Sequence, residues 1–391
     1  MPEENSGEAD GSAVVEEGLG DAGAGDAGAR DAASADTGSG SQDAGGSSQD
    51  AGASSDAAVS ADTGVEPPSD GGPAVRWLGR VEKTAQGARF TWPGTGFTTR
   101  IRGTGVRARI RIAEDADYFQ LVVDDKASVL KLQAGEQTYT LAQNLAAGEH
   151  TITLWRRTET FNGTVEVINI EVQGELLAPS VPSKRLEVIG DSITVGFGVD
   201  CDQDDSFSYA NENNYLTYEA ITARALGADL FTLAQTSIGM YRDDDGQTDN
   251  QMPVLYQRTL GNSAASRWNF ASWTPGAVVI NLGTNDFAAE DPGQGYLNAY
   301  AKFVDDMRGR YPSARIYLAI SPMLFDEARS QQRRYLEQVR SGRASKGDTN
   351  VALLELPTPT DAQWGCGHPN AAAHQAMATL LQQTLKRDLG W

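Results

Sequence analysis

The stretch that decides the fold is Arg185-Leu-Glu-Val-Ile189, an apolar run that leads directly into Gly190-Asp191-Ser192. A short apolar run that stops at a glycine is typical of a buried strand ending in a turn. Ser192 therefore stands at the carboxyl end of a strand. Because ligands bind at the carboxyl ends of the strands in open α/β sheets, this placement favours a functional role for the serine.

The chain after Pro179 and Pro182 alternates strand-like and helical runs, and one helix is predicted from about residue 213 to residue 226, closed by Gly227. Such alternation predicts a parallel sheet that is covered on both faces by helices, within an α/β domain over residues 180–391. The predicted strands are 186–189, 230–233, 278–282, 316–320 and 351–354.

Residues 76–178 have the pattern of an all-β domain. Val106, Ala108, Ile110 and Ile112 alternate with polar residues, which predicts a strand with one buried and one solvated face. About eight such strands in about a hundred residues predict a sandwich or jelly roll. The clearest of them are 88–92, 106–112, 118–123, 137–141, 150–155 and 165–172.

The N-terminal segment differs in composition from the rest of the chain. Residues 1–73 hold sixteen acidic residues and one base, Arg30, and so carry −15 of the formal charge of −21. The segment contains no aromatic residue and almost no branched aliphatic ones, which predicts a disordered linker or stalk over residues 1–75. The alternative is an acidic interaction tail. The charge balance argues against a nucleic-acid partner.

The sequence has no run of eighteen apolar residues, so no membrane span is expected. The first residues, Met1-Pro-Glu-Glu4, are acidic and show no secretory signal. A long solvated stalk ahead of folded domains is common among exported proteins. We therefore expect a secreted or cell-surface protein whose signal peptide is not present in this chain.

Three loops carry the residue types needed for acyl transfer. Ser192 is the candidate nucleophile, with a helix-capping serine as the alternative. Asn285, in Gly283-Thr284-Asn285-Asp286 after a predicted strand, is the candidate oxyanion donor, with a turn asparagine as the alternative. His368, held between Gly367 and Pro369, is the candidate base.

The other two histidines fit the role of base less well. His150 lies at the start of a predicted strand, and His374 lies on the predicted last helix, where a packed or surface histidine is the expected role. Asp191 and Asp286 adjoin the candidate catalytic positions, and we expect them to brace their loops. No group of His, Cys and Asp has the spacing of metal ligands, so no metal site is expected.

A further oxyanion donor is expected in the loop Thr236-Ser-Ile-Gly-Met-Tyr-Arg242. Glycine allows a backbone N–H to approach a ligand closely, so Gly239 is the first choice and Ser237 the alternative. Tyr241 and Arg242 are further candidates to line the cleft.

The two cysteines lie near the candidate catalytic residues. Cys201 is nine residues after Ser192, and Cys366 is two before His368. If the serine and the histidine meet, the cysteines are neighbours as well. A disulfide between the two loops and a pair of buried free thiols both remain open; the disulfide requires Cα atoms within about 7 Å and an oxidising compartment.

These segments resemble the SGNH (GDSL-like) hydrolase superfamily. More narrowly, residues 77–391 resemble carbohydrate esterase family 2, the acetyl xylan esterases, which join an N-terminal β jelly roll to an SGNH-type three-layer parallel-sheet domain. The matching motifs are Gly190-Asp191-Ser192, the Gly239 loop, Gly283-Thr284-Asn285-Asp286, His368-Pro369, Gly79-Arg80, Trp92-Pro-Gly94, Phe97, Gly103-Thr104, Val123-Asp124, Gly148-x-His150 and Arg157-Thr158-Glu159.

The resemblance implies removal of acetyl groups from cell-wall polysaccharides such as xylan and glucomannan. It implies a Ser192–His368 acyl-enzyme mechanism, an oxyanion hole of Ser192, Gly239 and Asn285, and no cofactor. The expected partner is an acetylated polysaccharide or oligosaccharide. Two alternatives stay open: an esterase or lipase acting on other short acyl esters, and a carbohydrate-binding protein whose catalytic site has decayed.

The sequence departs from the superfamily pattern before its histidine. Gly365 stands where an SGNH enzyme usually carries Asp, and Cys366 stands where some relatives carry it. His368 is then oriented by a main-chain carbonyl in a dyad, or else Asp361 supplies the acid. Trp364, just before this loop, either stacks on a sugar or is a packed loop tryptophan.

Overall fold

A computed structural model describes residues 75–113, 117–203 and 205–391. The predicted linker over residues 1–75 lies outside the described residues except for Val75. The described part of the chain forms a β-rich region followed by an α/β region. None of its helices is long and apolar enough to cross a lipid bilayer.

The β-rich region is a nine-stranded antiparallel sheet built around one long strand, β4, which pairs with four others. Alternate residues of β4 from Val106 to Ile112 are buried, and the arginines between them are exposed, which confirms the predicted alternation. The jelly-roll topology stays a prediction. The strands are β1 (Val75–Leu78), β2 (Glu82–Lys83), β3 (Ala88–Phe90), β4 (Gly96–Ile112), β5 (Asp117–Val123), β6 (Lys126–Leu132), β7 (Gly135–Ala142), β8 (Glu149–Arg156) and β9 (Val165–Leu177).

The α/β region contains a five-stranded parallel sheet in the order β11-β10-β12-β13-β14, and its strands confirm the five predicted ones. Because β10 lies between β11 and β12, the loops after these three strands meet at one edge of the sheet. Those loops carry Ser192, Gly239 and Asn285. The strands are β10 (Lys184–Gly190), β11 (Ala228–Ala234), β12 (Ala277–Asn281), β13 (Arg315–Ile320) and β14 (Val351–Glu355).

Helices cover both faces of this sheet. Successive residues of a strand point to opposite faces and therefore contact different helices. Leu186 and Val188 pack with helices α1, α2 and α6, whereas Ile189 packs with α3, α4 and α5. The region therefore has the three layers that were predicted. The helices are α1 (Ser192–Val195), α2 (Tyr218–Leu226), α3 (Met252–Leu255), α4 (Gly293–Arg310), α5 (Asp326–Ser345) and α6 (Ala371–Leu389).

The helix predicted from residue 213 begins later, at Tyr218, although it ends as predicted at Gly227, with φ of 61°. Residues before it form a short 3-10 turn, Asn214–Leu216. The Asn214 amide donates to Thr194 O at 3.0 Å and accepts from Trp155 Nε1 at 3.1 Å. These contacts with distant residues hold Asn214 outside the helix, and local sequence does not reveal them.

Buried contacts join the β-rich region to the α/β region. The Trp92 ring lies in the hydrophobic core of the α/β region, and its Nε1 donates to Thr259 O at 2.9 Å. Arg80 pairs with Glu187 of β10 at 3.1 Å, and both side chains are fully buried. Such a pair fixes geometry more than it adds net stability, since removal of either partner leaves a buried charge unpaired.

Candidate active site

Ser192 is the first residue of α1 and follows the end of β10 by two positions. A Cβ at Gly190 would lie 2.0 Å from Thr194 Oγ1, so the turn from strand to helix requires glycine. Asp191 caps the helix by accepting from Ile193 N–H at 3.1 Å, as expected of a bracing residue. The first N–H groups of a helix have no acceptor within it, so the Ser192 N–H is available to a ligand.

The structure brings Ser192 and His368 together. His368 Nε2 lies 2.9 Å from Ser192 Oγ. On the other side of the ring, His368 Nδ1 lies 3.4 Å from Cys366 O. A proton on Nδ1 facing this carbonyl leaves the Nε2 lone pair free to accept the serine proton.

His368 lies in a two-stranded hairpin outside the main sheet, formed by β15 (Trp364–Gly365) and β16 (His368–Pro369). The turn residues Cys366 and Gly367 have φ values of 51° and 72°. Two successive positive values are those of a type I′ hairpin turn. Cys366 is bonded to Cys201 in a disulfide, with Cα atoms 5.7 Å apart, so the cysteines are not free thiols.

Apolar surroundings favour the neutral form of the His368 ring. The ring lies 4.4 Å from that of Phe197, which stacks at 3.7 Å on Phe207. Burial lowers the pKa of His368. His374 is fully buried and accepts from Tyr218 N–H at 3.1 Å, which confirms a packed role, and burial lowers its pKa to about 3.

Asn285 reaches the site from the loop after β12. Its Nδ2 donates to Ile238 O at 2.8 Å, which uses one of its two amide protons. The other proton is left for a ligand. The same contact ties the Asn285 loop to the loop after β11.

The backbone N–H of Gly239, which was predicted to be an oxyanion donor, is not free to bind a ligand. Its buried N–H donates to Gln251 Oε1 at 2.8 Å, so the proton is already engaged. Glycine is needed here for another reason: a Cβ would lie 1.8 Å from Arg242 O. Ser237, the alternative donor, is half-buried with φ of 64°, and its N–H has no acceptor among the residues the structure describes.

Asp286 braces the loop after β11, as expected. Its carboxylate accepts from the N–H groups of Met240 at 2.9 Å, Tyr241 at 2.7 Å and Arg242 at 3.0 Å. Burial raises the pKa of Asp286, and these three donors act against that rise. The loop that carries Ser237 is therefore fixed to the loop that carries Asn285.

Models of known protein families match both regions of the chain. The model of the carbohydrate esterase 2 N-terminal region matches residues 77–180. The model of the GDSL-like lipase/acylhydrolase family matches residues 188–376. The solved structure of a family two carbohydrate esterase from Clostridium thermocellum in complex with cellohexaose is 33% identical with a TM-score of 0.77, and the match covers 81% of this chain and 99% of that one.

The chain belongs to carbohydrate esterase family 2. Two further relatives agree. Cellulase/esterase CelE of Acetivibrio thermocellus is 33% identical over 83% of this chain, which spans 40% of the length of CelE. An acetylxylan esterase / glucomannan deacetylase of Cellvibrio japonicus is 27% identical over 82% of this chain and 90% of its own. The chain is thus a carboxylic ester hydrolase of the SGNH α/β fold with a β-rich region before it.

Asp361, the candidate acid, does not contact His368 in the structure of the esterase. Asp361 is exposed in the short turn Asp361–Gln363 and makes no hydrogen bond to His368. The Cys366 carbonyl, and not the Asp361 carboxylate, lies beside Nδ1.

The three candidate substrate-binding residues of the esterase differ in placement. Arg242 Nε donates to Asp286 O and its Nη2 to Glu290 O, both at 2.8 Å, and its role in lining the cleft stays a prediction. The Tyr241 ring packs against Gly295 at the start of α4, and its role in lining the cleft stays a prediction. Trp364 is half-buried, 6.2 Å from the ring of Phe325.

Sequence reasoning missed two contributors to the site. Gln251 takes up the Gly239 N–H from an irregular segment, and no sequence signal distinguishes it from a surface glutamine. Phe197 packs on His368 and lies five residues after Ser192. The proximity argument that joined the two cysteines could have placed Phe197 beside the histidine as well.

Proposed function

We propose that this family 2 esterase removes O-acetyl groups from plant cell-wall polysaccharides such as xylan and glucomannan. The observation that carries the proposal is the 2.9 Å hydrogen bond between His368 Nε2 and Ser192 Oγ. The relatives named acetylxylan esterase / glucomannan deacetylase support the choice of acetylated polysaccharide as substrate. Because the dyad is assembled, we favour hydrolysis over binding without turnover.

In the first half of the reaction, His368 Nε2 accepts the Ser192 hydroxyl proton as Oγ attacks the acetyl carbonyl carbon. The tetrahedral oxyanion is held by the Ser192 N–H, the second Nδ2 proton of Asn285 and the Ser237 N–H. Collapse of this intermediate breaks the bond to the sugar oxygen. His368 returns the proton to that oxygen, which leaves as a hydroxyl.

The second half removes the acetyl group from Ser192. A water molecule gives a proton to His368 Nε2 as its oxygen attacks the acetyl carbonyl, and the same donors hold the second oxyanion. The ester bond to Oγ then breaks, the proton returns to Oγ, and acetate leaves. The Cys366 carbonyl orients the imidazole and stabilises its protonated form, so the mechanism uses a dyad.

The sugar chain is proposed to lie beside the His368 hairpin. Trp364 and Phe325 present aromatic surface there, and Phe325 is 49% exposed. Aromatic rings bury the apolar faces of ligands and offer an orienting surface. The structure of the Clostridium thermocellum relative with cellohexaose supports an extended glycan as partner.

We also propose that residues 76–178 and 180–391 are two domains, the first a jelly roll that buttresses the second. A secreted or cell-surface location is proposed because the Cys201–Cys366 disulfide requires an oxidising compartment.

Acetate release from acetylated xylan tests the function in the wild type, in Ser192→Ala and in the matched control Ser272→Ala, an exposed serine remote from the dyad. We expect turnover by wild type and control and none by Ser192→Ala. Equal rates in all three proteins would falsify the proposal. Faster cleavage of octanoyl than acetyl esters would overturn the choice of substrate.

A further inference from the structure

We propose that the Cys201–Cys366 disulfide is a positioning element of the ester site, which holds the Cys366 carbonyl against His368 and so takes over the orienting role of a catalytic acid. The inference rests on the proposed function, since it concerns the base of that reaction. Three features support it: the hairpin that carries His368, the Cys201 segment packed against that hairpin, and the aromatic rings beside the histidine.

The hairpin is too small to hold His368 alone. It contains two residue pairs, Trp364 with Pro369 and Gly365 with His368. Isolated two-stranded hairpins are marginally stable at best. Its turn also places Cys366 in the left-handed region, which a residue other than Gly, Asn or Asp seldom adopts. A cysteine at this position therefore needs an outside contact, and the disulfide supplies one.

The disulfide joins the two catalytic segments over short stretches of chain. Cys201 is in the segment that starts at Ser192, and Cys366 is two residues before His368. The loops touch: a Cβ at Gly365 would lie 2.3 Å from Cys201 O. Ala371 N–H also donates to Val199 O at 3.1 Å, so the segments keep one backbone contact when the disulfide is removed.

The disulfide also helps to hold the aromatic side chains that pack against His368. The loop that begins at Cys201 carries Phe207, which stacks on Phe197, and Phe197 packs on the His368 ring. Release of Cys201 would free this loop as well as the Cys366 carbonyl. The expected result is an imidazole that is both less oriented and more hydrated.

Few titratable groups face His368. His374 of α6 is neutral at neutral pH because its pKa is about 3. Asp205 approaches Cys366 through its main-chain oxygen, while its carboxylate accepts from Asp202 N–H at 2.9 Å. Among the described residues, no carboxylate hydrogen-bonds to His368, so the Cys366 carbonyl is its orienting acceptor.

The first test compares the wild type with Cys201→Ser/Cys366→Ser on acetyl esters. We expect kcat to fall by about tenfold or more, with KM changed by less than about twofold, because a misplaced base affects the chemical step. The acid limb of kcat should move to higher pH as water reaches His368. Unchanged kcat and an unchanged pH profile would overturn the inference.

Loss of stability alone has a different signature. Ile110→Ala, in the core of the β-rich region, should lower the melting temperature without moving kcat or the acid limb at 25 °C. Cys201→Ser/Cys366→Asp should regain more kcat than the double serine variant, since aspartate tolerates the left-handed turn and offers a carboxylate. Equal losses in both variants would mean a structural effect and would contradict positioning.

A measurement independent of turnover separates this inference from the proposed function. The pKa of His368, followed by NMR in the wild type and the double serine variant, should rise when the disulfide is absent, because burial, which lowers this pKa, is a larger effect than the Cys366 carbonyl, which raises it. An unchanged value overturns the inference whether or not any ester is cleaved.

If the variant does not fold, reduction of the disulfide in the folded wild type replaces it. Loss of kcat with the fold retained supports the inference, and full kcat with both thiols free contradicts it.

Discussion

The two sides of the active site are held in different ways. Ser192 follows β10, an inner strand of a parallel sheet, and its own neighbours supply the glycine turn and the Asp191 cap. His368 lies on a two-residue strand outside that sheet, held by a disulfide, a carbonyl and aromatic rings. The nucleophile therefore depends on regular structure, whereas the base depends on tethering contacts.

The largest effects are expected when the catalytic side chain on each side of the site is removed. Ser192→Ala and His368→Ala should each lower kcat on acetyl esters by roughly 10⁴-fold or more, and the double variant should lose no more than either single one, because the two residues act as a unit. Steady-state kinetics checks this. Additive losses would show that the two sides act separately, and unchanged melting temperatures serve as the control.

The next effect concerns the oxyanion. Asn285→Ala should lower kcat by about 100-fold, because one transition-state hydrogen bond is removed. The matched control is Asn298→Ala, an exposed asparagine of α4, which should leave kcat unchanged. A tenfold smaller effect at Asn285 would remove it from the oxyanion hole.

Two aspartates, one on each side of the site, should differ in their effect on stability. Asp286→Ala, on the sheet side, leaves three backbone N–H groups without their acceptor and should lower the free energy of unfolding by about 3 kcal/mol. Asp361→Ala, on the hairpin side, should change neither stability nor kcat, because that side chain is exposed. Denaturant unfolding measures the two stabilities, and steady-state kinetics measures kcat. A large loss of kcat in Asp361→Ala would assign Asp361 as the catalytic acid.

The smallest effect is a shift along the pH axis. His368 must be neutral to accept the serine proton, and burial lowers its pKa, so kcat/KM should persist below the ordinary histidine value of about 6.5 and fall as pH drops through the lowered pKa. Asp191 on the other side has its pKa raised by burial to about 7. Asp191→Asn should leave the acid limb in place; a limb that disappears in this variant would belong to Asp191.

The two sides also differ in how far sequence predicts them. The apolar runs marked the five strands, and the glycine turn after residues 185–189 marked Ser192, because these signals are local. Gly239 was assigned a donor role from its conformational freedom, yet Gln251, twelve residues away in an irregular segment, takes up its N–H. The start of α2 was also predicted too early, because Asn214 is held outside the helix by hydrogen bonds with the distant residues Trp155 and Thr194.

Covalent labelling tests the central claim most directly. An organophosphate ester reacts irreversibly with a serine that an adjacent base activates, and the labelled peptide is identified by mass spectrometry. We predict one adduct, on Ser192, formed in step with loss of esterase activity and absent in His368→Ala. Full activity after treatment, or an adduct on another residue that accounts for the loss, would contradict the assignment of Ser192 and His368.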